Sequence, residues 1–239
     1  MYYYTTPEYS VALNAKVGSS SLARAIIRQF YPEQNQRILL TKTPPHILEN
    51  DQQWHWLCPG TRIPTLPVVL FVRDPIERFI SACQQVIVTQ QDLDYAINSL
   101  LYDTLFIRSN SNFTEQDIAQ TNNQRLQEYN ANNDPNKPPF RRRGYLRDNI
   151  HFWFQHSYIL SYAHCFKFPE HIQQCLQFLN IDIGFPNVNS AKYPKVTLSD
   201  NQLVKIVQYY QKDIELYNLI STHNTIIENK DNDLKILSH

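Results

Sequence analysis

The feature that most constrains this chain is a junction within its first thirty residues. The apolar run Tyr9-Ser10-Val11-Ala12-Leu13 gives way to Asn14-Ala15-Lys16-Val17-Gly18-Ser19-Ser20-Ser21, and Leu22-Ala23-Arg24-Ala25-Ile26-Ile27 follows at once. A short β-prone run, a turn holding lysine and glycine, three hydroxyl residues and a helical pattern describe a strand, a phosphate-sized loop and a helix start. Such a loop suits an anion. A helix N-terminus presents unpaired backbone N–H groups and the positive end of the helix dipole, Gly18 permits close backbone approach, and Lys16 adds a full charge. Ser19, Ser20 and Ser21 add hydroxyl donors and are candidates to cap the helix. The spacing differs from the nucleotide triphosphatase signature, where the lysine follows the second of two glycines; here Lys16 precedes the only one.

A second junction repeats the theme. Pro67-Val68-Val69-Leu70-Phe71-Val72 is a continuous apolar, β-branched run of the kind that forms buried parallel strands. It ends in Arg73-Asp74-Pro75-Ile76-Glu77-Arg78-Phe79-Ile80-Ser81-Ala82, where Asp74 suits an N-cap and Pro75 the first helical position. Arg73 is thereby expected at a strand's carboxyl end, where ligands of open α/β sheets collect. Ser81 falls about two turns into the helix, near enough at roughly 1.5 Å per residue to share a phosphate with Arg73. An Arg73 paired merely with Asp74 or Glu77 is the simpler alternative.

These stretches resemble the two donor-binding segments of sulfotransferases that use 3′-phosphoadenosine 5′-phosphosulfate (PAPS). Lys16-Val17-Gly18-Ser19-Ser20-Ser21 is similar to that superfamily's 5′-phosphosulfate loop, with Ala15 where proline is usual. Phe71-Val72-Arg73-Asp74-Pro75 with Arg78-Phe79 and Ser81-Ala82 is similar to its 3′-phosphate segment, the Arg-to-Ser spacing included. The resemblance implies a P-loop-like three-layer α/β/α fold with a mainly parallel central sheet. It implies Lys16, Val17, Gly18, Ser19, Ser20, Ser21, Arg73 and Ser81 as donor-binding residues, 3′,5′-ADP as product, and no metal.

Further likenesses are weaker. Lys42-Thr43 matches the start of a Lys-Thr-His-x-Pro-like catalytic segment of cytosolic members, but Pro44 stands at the histidine and His46 comes two residues later. Sulfuryl transfer needs a base for the acceptor's proton and cations for the charge on the leaving phosphate and the moving SO₃ group. Lys16 and Lys42 are candidates for the charge and His46 for the base, with Glu49 or His55 in its place. His151-Phe152-Trp153-Phe154-Gln155 resembles a His-x-x-Pro-Gln segment of carbohydrate-type members, and Tyr210-Gln211-Lys212-Asp213-Ile214-Glu215-Leu216-Tyr217 resembles their closing helix. A sugar hydroxyl is therefore the first acceptor class. Arg141-Arg142-Arg143 is the one dense basic patch, and Arg142 and Arg143 are candidates for an anionic acceptor, a solvated face being the plainer reading.

At 239 residues the chain has the size of one α/β domain, expected over residues 1–220, with a polar tail over 221–239. The Asn-, Gln- and Asp-rich stretch 109–139 is expected as a flexible insertion. Twenty-two basic residues balance twenty-two acidic ones, so nucleic acid gains no support as a partner. The start of the chain lacks a basic region and long apolar core, and no apolar run approaches the roughly 20 residues of a membrane span, so a cytoplasmic protein is expected. Cys58, Cys83, Cys165 and Cys175 lack zinc-type spacing and read as reduced thiols, Cys165 with Cys175 being the one plausible pair in an oxidising compartment. Two other classes stay open: a P-loop-type phosphotransferase, and a non-catalytic nucleotide- or glycan-binding module.

Overall fold

The computed structural model describes residues 3–12, 14–33, 60–61, 64–86, 88, 90–94, 96–98, 100–101, 152–185, 194–221, 224–230 and 233–237. The chain divides into two compact units, residues 1–78, 154–190 and 212–239 in the first and 79–153 and 191–211 in the second.

The first unit carries a seven-stranded mixed sheet. Its strands are β1 (Tyr3–Thr5), β2 (Ser10–Ala12), β3 (Gly60–Thr61), β4 (Val68–Arg73), β5 (Tyr162–Phe168), β6 (Thr225–Lys230) and β7 (Asp233–Ile236), in the order β3-β1-β2-β4-β5-β6-β7. Among the described residues the central trio is parallel, with Ser10 opposite Val68 and Val68 through Arg73 opposite Ala163 through Phe168. Among the described residues every other pairing is antiparallel, so the expected parallel character holds in the middle of the sheet and antiparallel strands flank it. The reason lies at both ends of the chain, where β1 returns on β2 through a short turn closed by Thr6 N–H on the Tyr9 carbonyl at 2.8 Å, and β6–β7 form a hairpin. The segment from residue 221, expected as a frayed tail, thus supplies two strands. Thr225 and Ile227 are buried while Ile226 and Glu228 are half-buried, the period-2 pattern of a strand with one face on the core.

Alternate residues of β4 feed two clusters. Val69 and Phe71 pack with Leu22, Ile26 and Ile27 of helix α1 (Ser19–Phe30) and with Cys175 and Leu176 of α3 (Ile172–Phe178). Val68, Leu70 and Val72 pack with Cys165, Ile227 and Leu216 of α5 (Gln211–Leu219). Cys165 and Cys175 therefore lie on opposite sheet faces, and both are free, as is Cys83. Burial pushes all three thiols up.

Helix α2 (Pro75–Val86) begins where β4 ends, and Asp74 Oδ1 accepts the N–H groups of Ile76 and Glu77 at 2.9 Å each, the expected cap. A 3₁₀ turn at His156–Tyr158 precedes β5, and two consecutive helices, α4 (Asp200–Tyr209) and α5, follow later in the chain. Ser199 N–H on Gln202 Oε1 at 2.9 Å closes the start of α4. In the second unit the Phe79 ring lies tilted against those of Phe152 and Tyr210, and the Tyr210 hydroxyl donates to the Phe152 carbonyl at 3.0 Å. Among the described residues no helix is long and apolar enough to cross a membrane.

Candidate functional site

The β2–α1 loop leaves the carboxyl end of a central strand, as its pattern of strand, turn and helix predicts. Two of its residues have left-handed backbone, Lys16 at φ 68° and Gly18 at φ 72°. Gly18, not a serine, is the N-cap residue of α1, and no side-chain hydrogen bond caps the helix, which corrects the expected serine cap. Its carbonyl takes the first helical bond, from Leu22 N–H at 2.9 Å. Ser19, Ser20 and Ser21 form the first turn, Ser21 buried and the other two half-buried. Val17 is fully buried in the core, so its part in the loop is to anchor it rather than to touch a ligand through its side chain.

Arg73 ends β4 beside this loop. Its Nη1 donates to the Lys16 carbonyl at 3.1 Å, and its Nη2 meets the exposed Glu77 carboxylate at 3.4 Å. The guanidinium carbon lies 6.0 Å from the centre of the Phe168 ring. The simpler alternative, a pair with Glu77, is thus present, and the same guanidinium also reaches the loop. Ser81 is half-buried on the part of α2 that belongs to the second unit. Lys42, His46, Glu49, His55, Arg142 and Arg143 lie outside the described residues, as does the stretch 109–139.

Burial lowers the pKa of Lys16 from its ordinary 10.5, and the neighbouring Arg73 charge lowers it further. An anion on the loop relieves both effects, so this pair of cations is poised for one. Because the folded pKa lies below that of the unfolded chain, the unfolded state holds more protons between the two values, and the free protein gains stability as pH rises through that window. Anion binding needs the charged lysine, so affinity for inorganic phosphate or a nucleotide is expected to fall as pH climbs toward 10.5. Isothermal titration at stepped alkaline pH measures this, and a flat profile would remove Lys16 from the site.

A polar framework the motifs did not assign stands behind Arg73. Asn14 is fully buried and its Nδ2 donates to the Phe71 carbonyl at 3.0 Å and to Gln155 Oε1 at 3.4 Å. Gln155, also fully buried, accepts Arg73 N–H on Oε1 at 2.9 Å and donates from Nε2 to the Arg73 carbonyl at 2.8 Å. Asp213 has no exposed surface; it accepts Gln155 N–H at 2.8 Å and His156 N–H at 2.9 Å, meets His156 Nδ1 at 2.7 Å, and lies 3.6 Å from Nη2 of the buried Arg78. A signal for Asp213 was present in the sequence. It sits three residues from Tyr210 and from Leu216, on the apolar stripe of its helix, where a carboxylate survives only if paired. Gln155 carries no comparable signal beyond its place in the segment that resembles His-x-x-Pro-Gln.

Comparison with protein-family models, curated proteins and solved structures finds no match to this chain. The assignment of function consequently rests on the residues and their geometry.

Proposed function

We propose that the chain is a PAPS-dependent sulfotransferase, moving a sulfuryl group to an acceptor hydroxyl, with a carbohydrate as the first acceptor class. The reading is carried by the Arg73 guanidinium resting on the Lys16 carbonyl, because that contact joins the two segments whose residues resemble the donor-binding segments of that superfamily. In it the fold is P-loop-like and three-layered, the first turn of α1 and Lys16 hold the 5′-phosphosulfate, and Arg73 with Ser81 holds the 3′-phosphate. The Glu77 partner of Arg73 is exposed and its contact long, so it yields readily to a phosphate. Lys16 and Lys42 take up charge as the sulfur–oxygen bond to the phosphate breaks, and His46, with Glu49 or His55 as alternatives, takes the acceptor's proton. Sulfuryl passes in line to the acceptor oxygen with no covalent enzyme intermediate, and Arg142 and Arg143 would meet an anionic acceptor.

The test is thermal stabilisation without added metal. A ligand at one hundred times its Kd that binds only the folded state adds about 2.7 kcal/mol. 3′,5′-ADP is expected to do so at concentrations where ADP does not. Arg73→Ala should weaken 3′,5′-ADP roughly tenfold to a hundredfold, the worth of a hydrogen bond to a charged group, and leave ADP unchanged. Stronger stabilisation by ATP with Mg²⁺ would instead identify a phosphotransferase. Binding of PAPS with no transfer across a broad acceptor panel would identify a binding module.

A further inference from the structure

Among the described residues no strand pairs with the carboxyl end of β4 on the β2 side. β2 pairs with β4 only at Val68 and Val69, and beyond Ala12 the chain turns into the anion loop. In a strand the N–H and C=O of one residue point to the same neighbour, and the direction alternates along the chain. Ser10 N–H bonds to the Pro67 carbonyl at 2.9 Å, so residues 67, 69, 71 and 73 are the ones turned toward β2. Phe71, buried, and Arg73, half-buried, thus turn backbone groups toward a side where no described strand pairs with them. Leaving such groups unpaired costs on the order of 1–3 kcal/mol each.

Two side-chain amides occupy the vacant lane. Asn14 serves Phe71, and Gln155 serves both backbone groups of Arg73, as a paired strand residue would. Three side-chain hydrogen bonds therefore stand where β2 supplies none, one at the Phe71 carbonyl and two at Arg73. We infer that Gln155 is a positioning residue: by replacing the missing strand at Arg73, anchored through its own N–H on Asp213, it sets the guanidinium against the Lys16 carbonyl and so sets the anion site. Its effect on ligand rests on the sulfotransferase reading above; its effect on Arg73 does not.

Gln155→Leu keeps the volume and removes the amide. Its Arg73 amide should exchange with solvent roughly tenfold faster in hydrogen-exchange NMR, while the amides of Val69 and Leu70 keep their rates. Unchanged exchange at Arg73, or an equal rise along all of β4, overturns the proposal, the latter because it marks a purely global loss of stability. Gln155→Met serves if the leucine variant does not fold. In a double-mutant cycle read with 3′,5′-ADP, Gln155→Leu should weaken binding about tenfold in the wild-type background and not at all in Arg73→Ala, since a residue acting through Arg73 has nothing left to position. Equal losses in both backgrounds overturn it as well. A wild-type chain that ignores 3′,5′-ADP would sink the sulfotransferase reading, and the exchange rates would still decide the role of Gln155.

Discussion

Replacing Asp213 by alanine is expected to destabilise the protein by about 3–5 kcal/mol, the penalty typical of breaking a buried ion pair from one side. The carboxylate has no exposed surface and serves four groups at once: two backbone N–H groups, the His156 ring and the buried Arg78 guanidinium. Alanine supplies no acceptor, so the N–H groups of Gln155 and His156 lose the oxygens at 2.8 and 2.9 Å, and Arg78 loses a counter-charge at 3.6 Å. Against a typical total of 5–15 kcal/mol, that is a large fraction. Urea denaturation measures it, and a midpoint loss equivalent to under about 1 kcal/mol would mean that solvent or other groups already satisfy these partners. Asp213→Asn, which keeps one acceptor oxygen and removes the charge, should fall between the two.

The second large effect is expected at Gly18. A Cβ there would stand 2.7 Å from Phe168 Cε2 and 2.8 Å from Phe185 Cζ, closer than any unstrained carbon contact. Those rings are hemmed in, since both meet Phe71 edge-to-face, at 5.9 and 6.4 Å between centroids, and lie tilted against each other at 6.2 Å. The left-handed backbone at φ 72° adds roughly 1–2 kcal/mol for any residue with a Cβ, and overpacking typically adds 1–3. Gly18→Ala should therefore cost about 2–5 kcal/mol by those two terms and weaken anion binding by shifting the turn. Gly184→Ala is the control: nothing lies within 4 Å of its added carbon, and its melting temperature should barely move. Equal melting of the two variants would show that the turn tolerates a side chain.

These residues also mark how far sequence reading reaches. β4, the Asp74 cap and helix α2 follow from a run of β-branched residues, an aspartate and a proline within a dozen positions. The same holds for β2, the Gly18 turn and α1. Each is specified by contacts a few residues apart, so its signal is local. Even the pairing of Arg73 with its own helix, through Glu77 four residues on, was foreseeable.

What stayed hidden depends on residues far apart in the chain. No motif or apolar run marks residues 3–5, yet Tyr3 and Tyr4 are fully buried, and the Tyr3 hydroxyl donates to the carbonyl of Tyr158 at 3.0 Å, with burial raising its pKa to about 12. The closing hairpin looked like a tail because its short, half-polar strands become favourable only when β5 offers an edge to β6.

From its own residues the chain determined two strand–helix junctions and the charges on them, since turn geometry, caps and apolar periodicity act over one or two turns of backbone. Only the tertiary structure decided that Arg73 meets the Lys16 carbonyl, that Gln155 stands in for a strand, and that Asp213 lies beneath both. Those pairings bring together residues 57, 82 and 58 positions apart, and no local propensity encodes a hydrogen bond whose partner arrives only when the sheet closes.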